Sequence, residues 1–282
     1  MSEKVINKDT LWEKNSDWLR DSRKNLWNPE YFELLVKQVW KIDKPVKIVD
    51  FGCGIGYLGS VLLPLLPKGS TYTGLDISGM LLEEARMIFA GAEWQTEFME
   101  QDLTQYIPEE KYDIAICQTF LIHIPYPLKI LEKMVKSVVQ GGRVICMEPN
   151  WVFNYTGNYR HGREGYLDRD WRFRDDFINE LKENGIDRCI GIKIPAFMYD
   201  LGLKNVDIRI SDKAVVSFDD NFNTLIEYYA NNGLVPNSTP EIYRESEQYI
   251  KNNLFEGNYK NNKSPFPSIG IGLGLLISYG EK

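Results

Sequence analysis

The chain is poor in cysteine, with four in 282 residues: Cys53, Cys117, Cys146 and Cys189. No two form a CxxC pair, so the spacing offers neither a zinc site nor a disulfide framework. Scattered free thiols suit a reducing cytoplasm. Long apolar runs are also missing. The longest, IGIGLGLLI at 269–277, falls well short of the roughly 20 residues that a membrane helix needs. The opening MSEKVINKDT lacks the apolar core of a secretory signal. Positive charge is in deficit, with 33 Lys and Arg against 40 Asp and Glu for a net charge of −7. No basic cluster stands out as an electrostatic footprint for nucleic acid. The expectation is a cytoplasmic protein with no nucleic-acid partner and no membrane span.

Apolar residues make up 43% and charged residues 26% of the chain, the proportions of a folded globular protein. Its length allows one large domain carrying insertions. From Val46 to Asn150, strand-like runs rich in Ile, Val and aromatics (VKIVDF, TYTGLDI, TEFMEQD, YDIAICQ, GRVICME) alternate with helical patterns. Those patterns are YLGSVLLPLL, GMLLEEARMIFAGA and PLKILEKMVKSVVQ, with Gly141-Gly142 predicted to stop the last of them. Alternation of this kind predicts an α/β fold, a parallel sheet covered on both faces. Around this core at 41–150 stand a helical lead-in or lid at 1–40 and a lid insertion at 151–190 without a clear strand. The C-terminal part, 191–282, carries a helical insertion at 218–263. There IPAFMYDLG reads as a helix, and KNVDIRISDK and GLGLLISYG read as strands.

VDFGCGIG, Val49 to Gly56, sets Gly52, Gly54 and Gly56 at alternate positions between a strand and a helix. Turns without Cβ atoms let the backbone approach a ligand and turn a helix N-terminus toward it. A dinucleotide-binding turn reads GxGxxG, but its third position here is Tyr57, with the glycine one residue early. Asp50 sits two residues before the first glycine, where a carboxylate repels pyrophosphate and attracts an ammonium. Both features argue against NAD. Asp76 closes the second strand, where an acceptor suits a ribose diol. Asp102, read as the end of the third strand, can accept from an adenine amine. All of these groups are assigned to the carboxyl edge of the sheet, where ligands of such folds bind.

In this order and spacing, Val46 to about Trp151 resembles the class I S-adenosylmethionine-dependent methyltransferases of the small-molecule type. The resemblance rests on DFGCGIG, Asp76, Asp102 and CQTFLIHIP. It implies the Rossmann-like class I methyltransferase fold, a seven-stranded sheet with helices on both faces whose last strand, GLLISYG, runs antiparallel. It implies S-adenosylmethionine bound by Asp50, Gly52, Cys53, Gly54, Gly56, Asp76, Ile77, Met80, Asp102, Leu103 and Gln118. Leu103 would offer a backbone N–H to adenine, and Gln118 would lie beside the methionine portion. No metal is implied, and the partner is a small-molecule methyl acceptor whose O, N or C is methylated by in-line displacement.

Each of these residues also has a plain structural reading. The glycines can form a tight turn alone, Asp76 can cap the following helix, and Asp50 can brace the loop. His123, in LIHIP, can act as a general base or only line the pocket. Trp12, Trp151 and Tyr155 fall in lid segments, where aromatic faces attract a sulfonium and exclude water, yet such rings also fill cores. His161 reads as a solvated loop residue. Two other functions stay open: a catalytically silent S-adenosylmethionine-binding protein and, against the glycine spacing, an NAD-dependent oxidoreductase.

Overall fold

The computed structural model describes residues 26–109, 111–150, 158–160, 185–217, 268–270 and 274–282. Seven strands form the main sheet: β1 (Lys47–Phe51), β2 (Thr71–Asp76), β3 (Gln95–Glu100), β4 (Tyr112–Gln118), β5 (Val138–Pro149), β7 (Lys204–Ile210) and β10 (Leu275–Glu281). Their order is β3-β2-β1-β4-β5-β10-β7. The first five run parallel, and β10 is antiparallel to both of its neighbours. The predicted sheet and its antiparallel last strand are therefore present.

Strands buried on both faces read as continuous apolar runs. In β1 and β4 nearly every side chain is buried. Helices α2 (Tyr57–Leu62), α3 (Gly79–Ile88), α4 (Pro127–Ser137) and α5 (Ile190–Asp200) cover the faces. Pro64 turns the end of α2 into a 3-10 turn at Leu63–Leu65, because proline lacks the N–H an α-helix needs. In α4, Pro127 takes the first helical position and Ile130, Leu131 and Met134 face the core.

Two apolar layers result. One contains Leu58, Tyr72 and Phe98, and the other contains Phe51, Leu131, Met134, Ile190 and Met198. The described part of the lead-in, with α1 (Pro29–Leu34) and a π-helical turn at Leu35–Val39, joins the first layer. Leu26, Phe32, Leu35, Val36 and Trp40 are all buried there. The predicted helix at 218–263 lies outside the described residues.

The structure corrects three expectations. Gly141-Gly142 does not end α4. The helix passes straight into β5 at Val138, whose backbone is already extended (φ −92, ψ 146). The glycine pair sits inside β5, where the register against β4 shifts. Asp102 lies two residues beyond β3, not at its end. Gln101 N–H makes the last bond to β2, to the Asp76 carbonyl at 2.7 Å, and Asp102 then turns the chain. Finally, 151–190 does contain a strand, β6 (Asn158–Arg160).

β6 belongs to a second, three-stranded antiparallel sheet of order β6-β9-β8, with β8 (Val215–Ser217) and β9 (Ser268–Gly270). Four residues, 211–214, separate β7 from β8, and four, 271–274, separate β9 from β10. At no more than about 3.6 Å per residue, links this short keep the adjoining ends of β8 and β9 near the carboxyl edge of the parallel strands.

Gly59 of α2 faces the fully buried Tyr72 ring, and a Cβ there would stand 2.7 Å from it. Gly59→Ala is expected to destabilise the protein by about 1–3 kcal/mol through overpacking. Urea unfolding checks this. Unchanged stability would mean that Tyr72 yields freely.

Candidate functional site

The carboxyl edge of the parallel strands gathers most of the sequence candidates. The loop after β1 turns through left-handed backbone at Gly52, Gly54 and Gly56, with φ of +75, +54 and +75. Gly52 and Cys53 donate their N–H groups to the Leu75 carbonyl at 2.8 and 3.0 Å, which holds the loop against β2. Asp76 completes the attachment. One carboxylate oxygen accepts from Gly54 N–H at 2.8 Å and the other from Ser78 N–H at 3.0 Å. The cap of α3 is Ser78, whose hydroxyl accepts from Leu81 N–H. Asp76 therefore braces the glycine loop.

Beside this loop opens a small cleft lined by Asp50, Gly52, Cys53, Gly54, Ile55, Tyr57, Leu58 and Gln118. A Cβ on Gly54 would meet nothing within 4 Å, so its backbone faces open space. Asp50 is buried and accepts from the Tyr72 hydroxyl. Burial, reinforced by Asp50, holds the Tyr72 phenol well above its ordinary pKa, so it stays a donor. Burial first, then Asp50 and Asp76, likewise raise the Cys53 thiol, which leaves it an un-ionised wall of the cleft and not a nucleophile.

Gln118, the last residue of β4, is 6% exposed, and its amide nitrogen is buried with no hydrogen-bond partner among the described residues. A buried donor left unmade costs about 1–3 kcal/mol unless a ligand accepts from it.

Asp50, Gly52, Cys53, Gly54 and Gln118 thus share one cleft, and Asp76 touches it through Gly54. The other candidates stand outside its lining. Gly56 packs against Phe89, Ala85 and Phe98. Ile77 and Met80 are half exposed at the start of α3. Asp102 spends one oxygen on Thr104, accepting from its N–H at 2.8 Å and its hydroxyl at 2.7 Å, and the next residue, Leu103, is buried. Trp12, Trp151 and Tyr155 lie outside the described residues.

The segment after β4 is held by a residue that the sequence reading missed. Glu148, fully buried near the end of β5, accepts from three consecutive backbone N–H groups: Phe120 at 2.9 Å, Leu121 at 2.8 Å and Ile122 at 3.2 Å. Burial raises its carboxyl to about 7 even though these donors pull it down. The pinned segment begins at Thr119, left-handed at φ +50, an uncommon state for a β-branched residue. It places the Phe120 ring against Gly52 and ends in a 3-10 turn, Leu121–His123. The His123 ring meets a second unforeseen residue, buried Arg188. Among the described residues no three His, Cys, Asp or Glu side chains cluster as metal ligands would. No described helix is long and apolar enough to cross a membrane.

A left-handed glycine loop, braced by the acid that ends the next strand, thus lines the same cleft as an orphaned amide at the end of β4. Residues 49–144 match the family described as "Methyltransferase domain". This segment is a class I methyltransferase domain. Relatives match it over part of their length. An uncharacterised protein of Methanocaldococcus jannaschii is 36% identical over 153 residues, 52% of this chain and 42% of its own. A ubiquinone biosynthesis O-methyltransferase of Hydrogenovibrio crunogenus is 33% identical over 134 residues, 46% of this chain and 50% of its own. The chain thus spans about half the length, or less, of these curated relatives.

The methyltransferase domain also has solved structural counterparts. One is the methyltransferase seen with the Trm112 activator of Haloferax volcanii, at a TM-score of 0.55 and 16% identity, covering 99% of both chains. Another is Haemonchus contortus phosphoethanolamine N-methyltransferase 2 in complex with S-adenosyl-L-methionine. It scores 0.54 at 12% identity and covers all of this chain and 61% of that one. At such identities the likeness speaks for the fold.

Proposed function

We propose that the methyltransferase domain binds S-adenosylmethionine along the carboxyl edge and passes its methyl group to a small-molecule acceptor. The orphaned Gln118 amide in the glycine-loop cleft carries this reading. A polar ligand with an oxygen acceptor satisfies it, and Gly54 leaves room for close approach. Asp50 supplies a negative wall for the ligand's ammonium. Asp76 offers carboxylate lone pairs to a ribose diol, and Asp102 and Leu103 extend the edge toward a base. Half-exposed Ile77 and Met80 supply apolar surface of the kind a flat ring covers.

S-adenosylmethionine brings an activated methyl on a sulfonium. The protein's part is alignment and exclusion of water, which is worth about 7–11 kcal/mol in a well-oriented reaction.

Calorimetric titration with S-adenosylhomocysteine tests the donor site, with NADH as the contrast. Saturable binding of the first alone is expected, and binding of NADH alone would overturn the reading. Asp76→Ala should weaken S-adenosylhomocysteine by roughly 10–100-fold, since it removes charge-assisted hydrogen bonding worth about 1.5–3 kcal/mol in all. Undiminished affinity would remove Asp76 from the site. Labelled S-adenosylmethionine incubated with fractionated cell extract then reads the acceptor. Donor binding without any methylated product would leave a binding protein only.

A further inference from the structure

We infer that Arg188 fixes His123 as a neutral imidazole protonated at Nε2, so that the ring donates a hydrogen bond and cannot serve as the base for methyl transfer. The Arg188 Nη1 lies 3.0 Å from the His123 Nδ1. A guanidinium has donors and no acceptor, so in this contact Nδ1 must accept. A neutral imidazole with its lone pair on Nδ1 carries its proton on Nε2. Adding a second proton would turn an N–H toward the guanidinium and set two like charges in contact.

Both partners are held in place. His123 closes the 3-10 turn whose N–H groups Glu148 pins, and its own N–H donates to the Phe120 carbonyl at 2.9 Å. Arg188, 4% exposed, sits in a turn organised by Asp187. That carboxylate accepts from Cys189 N–H at 2.9 Å and pairs with Lys193. The two segments are tied again where Tyr126 N–H donates to the Gly185 carbonyl at 3.1 Å. The start of α5 packs closely on β5, since a Cβ on Gly191 would stand 2.7 Å from the Glu148 carbonyl oxygen. Arg188 is thus a positioning residue acting through His123.

The chemical consequence rests on the methyl-transfer reading. A base needs a lone pair aimed at the acceptor's proton. The Nδ1 pair is committed to Arg188, and Nε2 already holds a proton. The nucleophile must therefore attack with its own lone pair without help from His123, and any proton it sheds goes to another acceptor. That pair forms the new bond to the methyl carbon, the electrons of the broken C–S bond stay on sulfur, and any ammonium proton formed leaves to water.

The full chain has two histidines, His123 and His161, so it can be labelled with nitrogen-15 histidine and read by long-range proton–nitrogen correlation NMR in mildly alkaline buffer. A His161→Gln variant assigns the signals. The expected His123 pattern is an unprotonated Nδ1 and a protonated Nε2, giving way to tautomer averaging in Arg188→Gln. A protonated Nδ1, an averaged pattern or an imidazolium in the wild-type protein would overturn the inference, and that spectrum decides even where the Arg188 variant fails to fold. Titrating the same samples with S-adenosylhomocysteine separates the two claims. Donor binding without the locked tautomer defeats only the lock, and the locked tautomer without donor binding defeats only the methyl-transfer reading.

Discussion

Gly52→Ala should abolish measurable binding of S-adenosylhomocysteine, a loss of at least about 100-fold, and destabilise the fold as well. Two costs add. The backbone at Gly52 has φ +75, a left-handed state that costs an L-residue about 1–2 kcal/mol. The new Cβ would also fall 2.2 Å from the Phe120 ring, whose backbone is pinned by N–H bonds to Glu148, so the ring itself must turn aside. Overpacking of this kind costs about 1–3 kcal/mol more. The Phe120 ring packs the post-β4 segment against the glycine loop, which lines the cleft. Gly54→Ala is the informative contrast. Its Cβ meets nothing within 4 Å, so the strain is confined to the backbone and the methyl enters the space proposed for the ligand. It should remain folded while losing most of its affinity. Urea unfolding and calorimetry on both variants check this. If Gly52→Ala kept wild-type affinity, the Phe120 contact would not govern the cleft.

What the sequence disclosed follows the range of each interaction. β1 and β4 were readable because strands buried on both faces read as apolar runs. The glycine loop and Asp76 were readable because the turn chemistry is local and Asp76 closes the adjacent strand. Asp102 was misplaced by two residues, since nothing in FMEQDL marks where pairing stops and the turn to Thr104 begins. The small sheet escaped because strands of three residues are too short for period-two alternation to register. Glu148 and Arg188 escaped for another reason. Their partners lie 26–28 and 65 residues away, and the groups Glu148 binds are backbone N–H, which carry no side-chain signature. An acid inside ICMEPN, at the same edge as Asp50 and Asp76, was the available hint.

Removing the Glu148 carboxylate should be the most damaging single change near the cleft. Glu148→Ala leaves three buried backbone donors without their acceptor, at about 1–3 kcal/mol each. A combined loss of roughly 3–9 kcal/mol is a large share of the 5–15 kcal/mol typical of a folded domain. Glu148→Gln keeps the shape and separates geometry from charge. The folded carboxyl titrates at about 7, against 4.5 for an ordinary glutamate. Between those values the folded state holds the proton that the unfolded chain releases, so stability falls as pH rises. The contribution is complete below 4.5 and is lost as pH passes about 7, amounting to about 3 kcal/mol over the whole interval. From pH 6 to pH 8 the wild-type protein should lose about 1 kcal/mol through this group, a slope that Glu148→Gln lacks. Urea unfolding of both proteins at the two pH values reads the difference. Parallel pH profiles would mean that the carboxylate stays charged throughout, its three N–H donors outweighing its burial. The segment that carries His123 would then be held equally tightly across that range.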